Sequence, residues 1–152
     1  MPDDRPLGGY ALFIATYASL CTGFVRWLVR SGRPVPEHVR AGDLALVAIA
    51  THKASRLIAK DKVTSVLRAP FTIEQSSGPA GEVDESARGR GLRRALGEAL
   101  TCPFCLGLWV ASALTAGLLV APRAVRWSAF ALSALGISDF LQIAYRKAED
   151  TL

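Results

Sequence analysis

Cysteine, histidine and recognisable catalytic signatures are scarce in this 152-residue chain. It holds three cysteines, Cys21, Cys102 and Cys105, and only the last two stand close together. An odd count with a single close pair is not a disulfide framework. No glycine loop of the phosphate-cradling kind is present, nor a Gly-x-Ser-x-Gly turn, nor a His-Glu-x-x-His helix. Of the two histidines, His38 falls in a loop, and a lone helical histidine such as His52 is more often a hydrogen-bonded packing residue than a ligand. The chain opens Met1-Pro-Asp-Asp, acidic where a secretory signal is positive, and the following run lacks a clear small-residue cleavage site. That run reads as an uncleaved anchor. There is no internal repeat.

What the chain has in quantity is apolar sequence: 51% of residues are hydrophobic while 20% are charged. Long apolar runs separated by charged loops fit those figures better than one water-soluble core. The formal net charge of +5 suits cationic cytoplasmic loops as well as it suits nucleic acid. The apolar runs decide for the membrane.

The first run, Leu7 to Val25, carries no charge and is about the length that crosses a hydrocarbon layer. Tyr10 and Trp27 sit near its ends, where amphipathic rings prefer the interface. A polar loop punctuated by Pro34, Pro36 and Gly42 follows. The second run begins at Asp43, a candidate N-cap, and extends to Lys60. Its first half is uniformly apolar, whereas its second half carries His52, Lys53 and Arg56. It either crosses with those basic groups facing other helices or lies partly in the interface. From Asp61 to Gly91 the chain is soluble in character, and the stretch at about 72–91 reads as a mobile cytoplasmic loop with little to bury. Leu92 to Leu100 alternates apolar and charged residues as a short helix on the membrane surface would.

The third run starts at Thr101-Cys-Pro-Phe-Cys105 and continues to Pro122; the fourth runs from Val125 to Tyr145. Their short link predicts an antiparallel hairpin. Small residues recur in both, Gly107, Ala111 and Thr115 in one and Ala129 and Ser133 in the other, a spacing that allows close helix approach in lipid. The expected fold is therefore all-α: an integral membrane protein of four hydrophobic helices, the second the least apolar. Residues 1–42 form an anchor and polar loop, and residues 43–152 a membrane core domain. Lysine and arginine counts set the orientation. Four spans with both ends inside place twelve cationic residues inside and six outside; three spans give fifteen and three. Both arrangements make residues 60–101 and the C-terminus cytoplasmic, in a multi-pass protein of the plasma membrane.

Three groups of residues carry chemistry. Cys102 and Cys105 mark the start of the third membrane helix, where Pro103 suits the first turn. The helix dipole and free N–H groups there favour thiolate. The pair is open to three readings: small packing residues, a redox dithiol, or half of a zinc or iron–sulfur site completed by His52 or a second protomer. Asp139 lies inside the fourth run and needs a partner. Lys53 and Arg56 match its depth, so the expectation is an ion pair or, functionally, a polar pocket with His52 that holds an anionic head group or relays protons. Finally, Arg88, Arg90, Arg93 and Arg94 form a basic run without interleaved aromatics, which fits contact with anionic lipid rather than nucleic acid.

The residues Thr51-His-Lys-Ala-Ser-Arg-Leu57, Asp61-Lys-Val63, Arg68-Ala-Pro-Phe71 and above all Cys102-Pro-Phe-Cys-Leu-Gly-Leu-Trp109 resemble an uncharacterised bacterial membrane family, domain of unknown function 1360. The resemblance runs from about Leu44 to Tyr145 and leaves Leu7–Val25 as an addition, with Lys53 where the pattern has arginine. It implies a helical membrane protein with the second helix as a true span, and it brings no activity. The functional expectation is a non-enzymatic scaffold or accessory subunit touching lipid, a protein partner or a second copy. The alternative is a membrane-embedded Cys-x-x-Cys metal or thiol redox protein.

Overall fold

The computed structural model describes residues 5–78 and 81–151. Among these residues the order is α1 (Leu7–Arg30), α2 (Ala41–Ala59), a 3₁₀ turn (Lys62–Thr64), α3 (Ser65–Arg68), β1 (Thr72–Ser77), β2 (Val83–Ala87), α4 (Gly91–Thr101), α5 (Pro103–Val120) and α6 (Pro122–Glu149). The chain is mostly helical, as expected, but a two-stranded sheet replaces the all-α reading.

Helix α2 is the centre of the bundle and packs against both α5 and α6. It runs parallel to α6. Asp43 meets Arg126 near their first turns, Ser133 Oγ donates to the Leu46 carbonyl at 2.9 Å, and Lys53 meets Asp139 further along. The approach is close because α6 presents Ala129, Ser133 and Gly136 to α2. A Cβ built on Gly136 would stand 3.3 Å from Lys53 Cβ. Gly107 of α5 faces Ser55 and Thr51 in the same way. The small residues thus seat α2 between α5 and α6.

Asp43 does not cap α2. The N-cap is Arg40, and Asp43 in the first turn instead accepts two bonds from Arg126, at 2.8 Å each. A bidentate guanidinium–carboxylate pair outweighs a single backbone N–H as partner for a half-shielded carboxylate.

Helix α1 leans on the rest through few points. Tyr17 donates to or accepts from Ser112 at 2.8 Å and sets its ring edge-on to Trp109, centroids 5.3 Å apart. At its start Gly9 lies against α4, where an added Cβ would come within 2.5 Å of Ala95 Cβ. Tyr10 hydrogen-bonds Glu98 of the same helix. At the opposite end Arg33 donates to the Val120 carbonyl at 3.2 Å, joining the 31–40 loop to the α5–α6 link.

The stretch expected as a loop at about 72–91 instead holds an antiparallel hairpin, Thr72 opposite Ala87 and Ser77 opposite Val83, with a bulge between Glu74 and Ser76. Its composition gave no strand pattern because polar bonding holds it in place of an apolar face. Arg68 is fully buried. Its Nε and Nη2 donate to the two Glu85 oxygens at 3.0 Å each, and Nη2 also reaches the Asp61 carbonyl at 3.1 Å. Nη1 donates to the Ile58 carbonyl at 2.5 Å and Thr64 Oγ1 at 2.7 Å. Every donor of the guanidinium fork is used. Thr72 Oγ1 donates to Glu85 as well, at 2.6 Å. One side chain therefore fastens the end of α2, the following turn and β2 together. Gly97 of α4 closes the other side, since a Cβ there would meet the Phe71 carbonyl at 2.4 Å. Helix α4, expected to lie on a surface, is wedged by Ala95 and Gly97 between α1 and the hairpin.

Burial alone would raise the Glu85 carboxyl, but bonds from Arg68 and Thr72 outweigh it and hold the group below its ordinary range. A lowered folded value stabilises above the unfolded value and stops doing so as pH falls through the folded one. Hairpin protection, read by hydrogen exchange at residues 72–87, is expected to be complete above pH 4.5 and to fall with further acidification. Glu85→Ala leaves a buried guanidinium uncompensated and is expected to cost about 3–5 kcal/mol of stability. A variant that melted like the parent would refute the role given to this pair.

Candidate functional site

Between the C-terminal halves of α2 and α6 lies a cleft of about 340 Å³, with Glu82, just before β2, in its lining. Its floor is Gly136, whose missing side chain admits Lys53. Lys53 Nζ lies 2.7 Å from Asp139 Oδ2. The ammonium side is 13% exposed and the carboxylate 47%, so the pair is open from the α6 side. Arg56 does not join Asp139; it pairs with Glu82. His52 stacks on Phe140 of α6, ring centroids 5.8 Å apart. Asp61, Gln142 and Arg146 complete the polar lining. The cleft thus collects His52, Lys53, Arg56 and Asp139 from the sequence candidates and adds Asp61, Glu82 and Arg146.

Those additions left one trace in the sequence. Two cations on α2 faced a single carboxylate on the fourth run, so a second carboxylate had to come from elsewhere. Nothing in the composition of 72–91 identified Glu82 as that group. Arg68 and Glu85 were missed for a similar reason, since their pairing depends on a hairpin that the sequence does not announce.

Cys102 is the N-cap of α5, and its sulfur accepts the Cys105 N–H at 3.2 Å. Both thiols are free. His52 does not reach them, being engaged with Phe140 across the cleft from α6. Among the described residues, no group of three or more metal-binding side chains gathers anywhere. Two thiols from one chain are half the ligand set that zinc or an iron–sulfur cluster needs. What the geometry gives the pair is a capping role at a helix start.

The basic run divides. Arg93 donates to the Pro70 carbonyl at 3.0 and 2.6 Å, and Arg94 pairs with Glu98 at 3.0 Å. Arg88 and Arg90 are exposed beside the hairpin base. Arg93 therefore fastens α4 to the segment before the hairpin, whereas Arg94 pairs along α4 itself.

Two outcomes follow for these residues. Asp139→Asn strands a largely shielded ammonium and is expected to lower thermal stability in mild detergent by roughly 1–3 kcal/mol. Replacing both partners, Lys53→Met with Asp139→Leu, is expected to recover most of that loss; equal destabilisation by single and double variants would deny the coupling. Protein purified without chelators is expected to carry well under one zinc or iron per chain, by elemental analysis, and stoichiometric metal would mean that a second chain supplies ligands.

The model of a family described as a protein of unknown function (DUF1360) matches residues 46–145. The Sporulation protein YjcA of Bacillus subtilis (strain 168) is 28% identical over 107 residues, which cover 68% of this chain and 91% of that protein. No solved structure matches the chain. The matched segment starts inside α2 and ends inside α6, so it contains the cleft lining from His52 to Ile143 and both thiols, and leaves α1 and Arg146 outside. From α2 to α6, then, the chain belongs to the DUF1360 family.

Proposed function

We propose that this is a multi-pass protein of the bacterial cell membrane, crossing it four times through α1, α2, α5 and α6. It serves there as a non-enzymatic scaffold or accessory subunit. The observation that carries the reading is the apolar exterior. Helices α1, α5 and α6 are long and apolar enough to cross, and α5 contains no buried residue. Side chains such as Ile14, Trp127 and Leu141 stand 70%, 74% and 65% exposed. Apolar area on that scale calls for lipid or a partner.

Helix α2 supports the fourth crossing by its place. At 19 residues it spans about 28 Å, and its three ionised side chains, Asp43, Lys53 and Arg56, all have opposite charges against them. Partnered groups of that kind are what a polar span tolerates. The hairpin, α4, the end of α6 and the start of α1 gather at one pole, which holds twelve of the 18 lysines and arginines. That excess makes it the cytoplasmic pole. Val63, Val66 and Leu67 stand 79%, 76% and 62% exposed beside it, a small apolar shelf for lipid or a protein partner. The cleft supports a binding or structural role, because its cations and carboxylates are equal in number and, among the described residues, its lining holds no hydroxyl or thiol nucleophile.

The test is one of sidedness. In a background with Cys21, Cys102 and Cys105 changed to serine, His38→Cys and Ser76→Cys are treated with an impermeant maleimide on intact cells. Labelling of position 38 in intact cells, and of position 76 only after permeabilisation, is the expected result, with the chain resisting alkaline extraction. Position 38 reacting only after permeabilisation would leave three spans, and recovery in the soluble fraction would end the membrane reading altogether.

A further inference from the structure

The cleft between α2 and α6 contains more charge than its internal pairs consume. Lys53 is used by Asp139 and Arg56 by Glu82. Two further ionised side chains line the same space, Asp61 and Arg146, and among the described residues neither carboxylate nor guanidinium has an ion-pair partner. Three cations and three carboxylates thus share the lining, with His52 beside them. A purely anionic ligand gains nothing from such a balanced wall. A ligand that brings one positive and one negative group does, since each finds the residue left over.

Place narrows the ligand further, on the membrane reading proposed above. Counted from Pro122, about 20 helical residues cover a ~30 Å hydrocarbon layer, so α6 leaves it near Gln142. Gln142 and Arg146 are both in the cleft wall. The cleft therefore sits at head-group level of one leaflet. Its α6 edge carries Phe140 and Ile143, 60% and 63% exposed, as an apolar rim for acyl chains.

We propose that this cleft is a binding site for one amine-bearing zwitterionic phospholipid, of the phosphatidylethanolamine class. The lipid phosphate faces Arg146 and its ammonium donates to Asp61. A cavity of about 340 Å³ accommodates such a head group with room for water. The primary ammonium matters because a carboxylate accepts its N–H groups, which a trimethylated amine cannot offer.

Native mass spectrometry of the full chain in mild detergent, titrated with ethanolamine, choline and glycerol phospholipids, tests the assignment. The expected result is one ethanolamine lipid retained per chain in preference to the other two. Asp61→Asn and Arg146→Gln should each weaken it by about tenfold, the loss of one charge-assisted bond. Glu74→Gln, a charge change outside the cleft, should leave it unchanged. Equal or tighter binding of the glycerol lipid would overturn the proposal in favour of an anion site. Equal binding of the choline lipid would overturn it too, since a trimethylated amine has no N–H to give Asp61. Soluble phosphoethanolamine binding as well as the lipid would make the ligand a free ester and sink the lipid assignment. Alkaline extraction of the same variants separates the two readings: a chain that stays in the membrane but shows no ethanolamine preference refutes only this site.

Discussion

The rest of the molecule is arranged around one constraint: the polar groups of α2 must be met by opposite charges while the helix lies at the centre of the bundle. Asp43, Lys53 and Arg56 each meet one matching group: Arg126 and Asp139 from α6, Glu82 from the hairpin segment. A charge left alone in that position costs several kcal/mol, more than any single packing contact returns. The parallel registry of α2 and α6 follows, because Arg126 and Asp139 match Asp43 and Lys53 only when the two helices run the same way. So does the need for a folded roof, since Asp139 is taken by Lys53 and the carboxylate for Arg56 is Glu82.

Close approach makes the pairing possible. Ala129, Ser133 and Gly136 bring the α6 backbone near enough that Lys53 reaches Asp139 at 2.7 Å without leaving the interface. Bulkier side chains at these positions would widen the gap, and the greater distance and wetter surroundings would weaken the attraction. Gly107 does the same on the α5 side. The small residues and the charges are therefore one device: the first set the distance at which the second act.

The polar pole depends on Arg68 in the way the bundle depends on α2. Buried and saturated with acceptors, it joins Ile58, Asp61, Thr64 and Glu85. The hairpin contributes little apolar area of its own; Val83 is the one large apolar side chain in it that is fully buried. Its position is held by directional bonds, which fix geometry at short range but leave no periodic trace. The hairpin in turn sets Glu82 over the cleft and gives α4 a surface for Gly97. Cleft, hairpin and α4 thus rise or fall on one guanidinium.

Much of this was legible in the amino-acid sequence, and the part that was not has a common cause. The helices announced themselves, because a helix satisfies its own backbone and its apolar content is a local property. Leu7–Val25, the runs after Cys105 and after Val125, and the short helix at 92–100 all lie where the structure has α1, α5, α6 and α4. That Asp139 needed a cation from α2 was also local reasoning, about depth along a helix. Pairing is different. Whether Asp139 takes Lys53 or Arg56, whether Asp43 caps a helix or holds Arg126, and whether a Ser/Gly/Glu-rich stretch closes into a hairpin depend on which chains of atoms meet across distances of up to 86 residues. The sequence by itself determined the helices, their apolar faces and the family, because these rest on composition and spacing within one segment. Only the tertiary structure decided the partners, since a carboxylate chooses among cations by distance and shielding, and both come into being when the segments pack.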